Sequence, residues 1–258
     1  MPQTKIVFFD IDGTLIDMQA KKITPKMLET LHRLQDRGIK ICIATGRSPM
    51  VLPKIDGVAF DAYLTFNGSL CYDRKGVIFS NPIPHKDVVR FIQNAAALGR
   101  PVCVSTRDRL AANGTDTDLT DYFFIANEPV PVADDFDAVC AEDIYQLMLG
   151  CRPKDYPALL DGAPGAKIAA WWDRAVDVIP AGGGKGIGIE KMLAYYGLDK
   201  DEALAFGDGN NDREMLQAVG TGVAMENGSP ELKAIADEIC GPVYEDGIYH
   251  YCADKGLI

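Results

Sequence analysis

The chain lacks most of the patterns that would mark a membrane protein, a disulfide scaffold or a nucleic-acid surface. Its apolar runs fall far short of the roughly 18–20 residues that a bilayer span requires. The start Met-Pro-Gln-Thr-Lys leads straight into an apolar strand pattern with no signal-like region, so no membrane partner is expected. Seven cysteines (Cys42, Cys71, Cys103, Cys140, Cys151, Cys240 and Cys252) are odd in number and contain no C-x-x-C pair. That spacing excludes a zinc ribbon or a disulfide framework and predicts reduced, mostly buried thiols in a cytoplasmic protein. The three histidines, His32, His85 and His250, are too scattered to suggest a histidine-centred triad or metal site. Positive charge is also short: 26 Lys and Arg face 37 Asp and Glu, a formal net charge of −11. This argues against a nucleic-acid partner or an anionic membrane, while leaving room for one local positive pocket. Two phosphate motifs are missing as well. The run Gly182-Gly183-Gly184-Lys185 is not a Walker A loop, because Ile179 stands where its first glycine belongs and Gly186 where it needs Ser or Thr. No G-x-G-x-x-G follows a strand pattern, which excludes the dinucleotide fingerprint.

What is present points to an α/β enzyme. With 258 residues, 47% of them hydrophobic, the chain can form one large domain or a core with a smaller second domain. Ile6 to Phe9 is an unbroken apolar run, as expected of a strand buried on both faces of a parallel sheet. It ends in Asp10-Ile11-Asp12-Gly13-Thr14. If the strand persists to Asp12, the two carboxylates point the same way; if the chain turns at Ile11, they flank a common ligand from different directions. Two such acids repel unless a cation or a shared proton lies between them. Mg²⁺ suits an all-oxygen site of this kind.

Further along, Thr24-Pro25 reads as an N-cap with proline at the first helical position, and Gly38 as the end of that helix. Strands are predicted at Ile39–Ala44, ending in Thr45-Gly46-Arg47, and at Ala62–Phe66, ending in Asn67-Gly68. Residues 69–82 read as a hairpin. From about Pro84 the pattern changes to a helix through Val88, Phe91 and Ala95, then strands near 101–106, 144–149 and 167–179 around a polar segment at 113–121. After Gly184 the alternation of helix and strand resumes, with Ala203–Phe206 ending in Gly207-Asp208-Gly209-Asn210-Asn211-Asp212. Alternation on both sides of residues 84–181 predicts one parallel sheet interrupted by an inserted domain.

Four polar clusters thus stand where strands or glycine turns end: Asp10/Asp12, Thr45, Lys185, and Asp208/Asn211/Asp212. Each alone can be a helix cap or a solvated turn. Together they form a phosphoryl-transfer set. Asp10 and Asp208, with the Asp12 carbonyl, hold Mg²⁺. Lys185 offsets charge on a nucleophile and an incoming phosphate, and Thr45 binds transferring oxygens. Asp12 serves as acid and base, and Asn211 and Asp212 orient the metal's surroundings and Lys185.

In that order, Asp10-Ile-Asp12-Gly-Thr, Thr45-Gly46-Arg47, Lys185 and Gly-Asp208-Gly-Asn-Asn211-Asp212 resemble the four motifs of the haloacid dehalogenase superfamily. An insert between the second and third motifs resembles its Cof-type branch (subfamily IIB), with a C2-type cap. The resemblance implies a Rossmann-like doubly wound core over 1–83 and 182–258, and an α+β cap over 84–181 that selects substrate. It implies Asp10 as nucleophile, Asp12 as acid and base, and Gly46, Arg47, Asn67 and Gly68 lining the phosphate end of the pocket. The implied activity is a Mg²⁺-dependent phosphoric monoester hydrolase for small phosphorylated metabolites, such as sugar phosphates. Superfamily members resembling P-type ATPases carry Thr at the position of Asp12 and keep the aspartyl-phosphate long-lived, so Asp12 favours turnover. A phosphomutase built on the same acids, and a phospho-accepting receiver module, are the alternatives; receivers are about half this length and lack the insert. In the insert, Arg107, Arg109, Asn113, Trp171 and Trp172 are either substrate contacts or ordinary solvated and packed side chains, the second being the favoured reading.

Overall fold

The computed structural model describes residues 3–125, 127–170 and 172–258. In chain order, β1 (Ile6–Phe9), α1 (Pro25–Asp36), β2 (Lys40–Ala44), β3 (Ala62–Thr65), β4 (Leu70–Asp73) and β5 (Gly76–Ser80) come first. There follow α2 (His85–Ala97), β6 (Cys103–Ser105), β7 (Leu110–Ala112), α3 (Thr117–Ile125), α4 (Phe136–Val139), β8 (Gln146–Gly150), α5 (Tyr156–Leu160), β9 (Ala166–Ala169) and β10 (Ala175–Pro180). The chain finishes with α6 (Lys185–Tyr196), β11 (Ala203–Gly207), α7 (Arg213–Gln217), β12 (Thr221–Met225), α8 (Pro230–Lys233), β13 (Glu238–Cys240) and α9 (Gly247–Asp254). Internal packing divides it into two compact units. One comprises the chain up to Arg47, Pro53–Ser80 and Gly184–Ile258; the other comprises Ser48–Leu52 and Asn81–Gly183.

The first unit is a Rossmann-like α/β sheet, ordered β13-β12-β11-β1-β2-β3-β4-β5 among the described residues. Strands from β13 to β3 are parallel, and the β4–β5 hairpin closes one edge antiparallel. Every residue of β1 is fully buried, which is why its sequence shows no polar alternation. Each such side chain contributes about 1.5–3 kcal/mol of burial. The α1 helix begins as expected, with Thr24 Oγ1 accepting from Met27 N at 3.1 Å and Pro25 in the first turn. Its buried stripe runs through Met27, Thr30, Leu31 and Leu34.

Parallel register fixes what emerges at the carboxyl edge of the sheet. Phe9 lies opposite Phe206 on β11 and Ile43 on β2, and the Phe9 and Phe206 rings stack at 5.5 Å. The residues that follow must then emerge side by side. Asp10 N donates to Phe206 O at 3.0 Å, and Thr45 N to Leu64 O at 2.9 Å. The strand ends at Phe9 and the chain turns at Ile11, with Leu15 N and Ile16 N both donating to the Ile11 carbonyl. Of the two geometries open at Asp10 and Asp12, this is the turned one.

The second unit is α+β, an antiparallel sheet ordered β7-β6-β8-β10-β9. Val88, Phe91 and Ala95 of α2 share a core with Leu147, Leu149, Val176 and Val178. On a separate cluster, Leu119 and Phe123 of α3 meet Cys103 and Met148. The stretch expected to be a polar segment therefore holds the start of a helix. Its Asp118 accepts from Arg100, Arg152 and Arg174, three arginines distant in sequence, so the polarity serves packing. The hydrogen bond from Arg152, the strongest influence, that from Arg174 and the charges of Arg152 and Arg100 hold this carboxyl below the usual range. The short β13 and α9 were not foreseen either. All seven cysteines are buried and free. Among the described residues no helix is long and apolar enough to cross a membrane.

Candidate active site

The site grows from the carboxyl edge of the first unit's sheet, where parallel α/β folds expose their strand ends. Lys185, the first residue of α6, is 1% exposed and its ammonium enters the space between two loops. It donates to Asp10 Oδ1 at 2.7 Å and to Asp212 Oδ1. Asp212, wholly buried, uses its other oxygen to accept from Asp208 N at 3.0 Å and Gly209 N at 2.9 Å, which ties the loop after β11 into a fixed turn. Asp208 Oδ1 accepts from Thr14 Oγ1 at 3.1 Å. Residues separated by 175 positions thus share one hydrogen-bond network.

Carboxylate oxygens of Asp10, Asp208 and Asp212 lie within 4.8 Å of one another. Three acids surround one ammonium in a buried space, so the site is short of positive charge. Burial first, then the charges of Asp212 and Asp208, push the Asp10 carboxyl up to about 8, despite the lowering effect of Lys185. Burial and Asp212 likewise push Asp208 up to about 7. Burial disfavours the Lys185 ammonium, but Asp10 and Asp212 outweigh it, so its proton is held more tightly than usual. A hard divalent cation suits this donor set, which is all oxygen and carries more negative than positive charge. The carboxylate of Asp12 lies outside that group; its expected part in metal binding is through the backbone carbonyl.

Asp12 is instead clasped by Arg47, with Nε donating to Oδ2 at 2.8 Å and Nη2 to Oδ1 at 2.6 Å. Thr45 organises the loop beneath: its Oγ1 accepts from Arg47 N and its carbonyl from Asn67 N. Asn67 adopts φ +51°, and its Oδ1 accepts from Asn211 Nδ2 at 3.3 Å, linking the loops after β3 and β11. A Cβ on Gly46 would stand 3.1 Å from the Asn67 amide. All eleven core residues singled out in the sequence therefore gather at one sheet edge.

Two glycines there are fixed by geometry. Gly13 has φ +84°, and a Cβ on it would stand 2.2 Å from Asp208 Oδ2. Gly68 has φ +92°, and a Cβ would stand 2.2 Å from the Gly184 carbonyl oxygen. Gly68→Ala is expected to cost about 2–3 kcal/mol, seen as a lower urea midpoint with an unchanged m-value.

Sequence reasoning passed over two contributors. Thr14 was quoted in its motif without a role, yet its hydroxyl orients Asp208. Asn227 had no sequence signal: its side chain donates to Gly13 O at 2.8 Å and accepts from Val243 N at 2.9 Å. In the second unit, Arg109 pairs with Asp135 at 2.6 Å, Asn113 Oδ1 accepts from Val102 N, and the Arg174 guanidinium lies over the Trp172 ring. These contacts agree with the packed and solvated reading; Trp171 lies outside the described residues.

A family profile of haloacid dehalogenase-like hydrolases matches residues 7–252. The Bacillus subtilis (strain 168) protein YkrA, named as a candidate phosphatase, is 35% identical over 99% of both chains. BT1666 of Bacteroides thetaiotaomicron, solved as a phosphatase of that superfamily, is 30% identical with a TM-score of 0.92, over 99% of this chain and 96% of its own. The solved subclass IIB sugar phosphatase BT4131 is 28% identical with a TM-score of 0.87, over 99% of this chain and all of its own. The match over nearly the whole chain, together with the four loops gathered at one sheet edge, means that the chain belongs to the haloacid dehalogenase-like hydrolases.

Proposed function

We propose that the protein is a Mg²⁺-dependent phosphatase of small phosphorylated metabolites that works through an aspartyl-phosphate on Asp10. The observation that carries this reading is Lys185, fully buried between Asp10 and Asp212 with Asp208 alongside. No structural need of an α/β core calls for so costly a group. The activities named for its relatives support the same reaction class.

An Asp10 oxygen attacks phosphorus as the bond to the leaving oxygen breaks, and Asp12 gives its proton to that oxygen. Asp12 then takes a proton from water, whose oxygen attacks phosphorus and frees Asp10 and inorganic phosphate. Lys185 steadies Asp10 throughout, while Thr45 and the N–H groups of its loop bind the transferring oxygens. Arg47, Asn67, Gly46 and Gly68 line the phosphate end. Mg²⁺, when held by Asp10, Asp208 and the Asp12 carbonyl, supplies the positive charge that the three acids lack. Asp212 and Asn211 keep that loop in place. The insert is assigned the choice of leaving group, and seven free thiols suit a cytoplasmic location.

Phosphate release from an aryl phosphate, with Mg²⁺ and after its chelation, tests this reading. Wild type is expected to turn over only with the metal, and Asp10→Asn to lose on the order of 10⁴-fold or more. Metal-independent release, or full activity in Asp10→Asn, would overturn it.

A further inference from the structure

Arg47 is expected at the phosphate, yet in the structure its Nε and Nη2 both donate to Asp12, the proposed acid and base. The pairing is bidentate, so both Asp12 oxygens are committed as well. We propose that Arg47 is a latch, holding Asp12 in the resting enzyme and exchanging it for the oxygens of an arriving phosphoryl group. The proposal rests on the phosphatase reading and adds to it an order of events, with Asp12 released only when phosphate is bound.

Three features support the exchange. The Arg47 and Asp12 side chains are 34% and 33% exposed, whereas Lys185, Asp10 and Asp212 are almost wholly enclosed, so an anion from solvent meets Arg47 first. An ion pair so open to water is worth about 0–1 kcal/mol, little enough for a ligand to displace. A phosphate dianion offers the same two-oxygen geometry with more charge. The backbone on either side is meanwhile pinned. Arg47 N donates to Thr45 Oγ1 and its carbonyl accepts from Phe66 N, while Gly13 N donates to Ile16 O across the Asp12 turn. Both side chains can therefore change partner without moving the loops.

A latch makes Asp12 and phosphate competitors for one guanidinium. The test measures inorganic phosphate binding by calorimetry, in Mg²⁺, for wild type, Asp12→Asn, Arg47→Ala and the double variant, with circular dichroism confirming that each is folded. Asp12→Asn is expected to bind phosphate about 3–10-fold tighter, matching the ~1 kcal/mol released from the pair. Arg47→Ala is expected to bind it about tenfold weaker, and the double variant no tighter than Arg47→Ala. Arg47→Lys, which keeps charge but loses the fork, should raise KM more than it lowers kcat. If Arg47 merely braces Asp12, Arg47→Lys would lower kcat at constant KM and Asp12→Asn would not gain affinity, which overturns the latch. So would an equal gain from Asp12→Asn with and without Arg47, or an active wild type with no phosphate binding in the millimolar range. A wild type that neither hydrolyses the aryl phosphate nor binds phosphate overturns the phosphatase reading, and the latch with it.

Discussion

Replacing Lys185 with methionine is expected to cost about 3–5 kcal/mol of stability in metal-free protein and to lower aryl phosphate turnover on the order of 10³-fold or more. Methionine fills much of the same volume, so the loss comes from charge. With the ammonium gone, Asp10 and Asp212 face each other in a space that water barely enters. The chain must then keep two unpaired buried carboxylates or protonate them, and a protonated Asp10 is no nucleophile. Urea unfolding and steady-state kinetics would measure the two losses. Near-wild-type values for both would mean that Lys185 is neither the keystone of the loop network nor a catalytic group.

The second large effect concerns pH and metal together. Asp10 and Asp208 hold protons far more tightly in the folded protein than in the unfolded chain, where carboxyls titrate near pH 4. Between pH 4 and about 8 the folded state therefore binds more protons, and stability falls as pH rises. Metal-free protein is expected to lose on the order of 1 kcal/mol per pH unit for each group, up to about pH 7 for Asp208 and about pH 8 for Asp10, and then to level off. A divalent cation competes with those protons. Mg²⁺ at about 100 times its Kd is worth about 2.7 kcal/mol, and its gain in Tm should be clearly larger at pH 8 than at pH 5. Equal gains at both pH values would place the metal somewhere other than these carboxylates.

The parts of this fold that were legible in the sequence are those where local chemistry and long-range packing agree. Ile6–Phe9 had to be buried on both faces, Thr24-Pro25 had to begin a helix, and Gly38, with φ +74°, had to end it. The strand-end rule then carried Asp10, Thr45, Lys185 and Asp208 to one edge without any knowledge of their distances. What could not be read are pairings made across loops. Nothing local ties Arg47 to Asp12, 35 residues away, or Asn227 to Gly13, because those partners are set by how far each turn projects beyond its strand. The α3 helix was missed for the opposite reason. Its acidic start looked like a solvated loop, but Asp118 is spent internally on three arginines.

The order of the strands also has a bearing on how the chain is made. Central strand β1 has β2 on one side, close in sequence, and β11 on the other, with the whole insert between. A ribosome adding about 5–20 residues per second would leave that edge of β1 open for roughly 10–40 s. During that interval Ile6 to Phe9 presents an unpaired apolar edge, a natural target for chaperones and for aggregation. The antiparallel insert is local within residues 81–183 and can close before its host does. Placing Lys185 and Asp208 beyond the insert thus delays assembly of the phosphate site until the insert and β11 have both emerged.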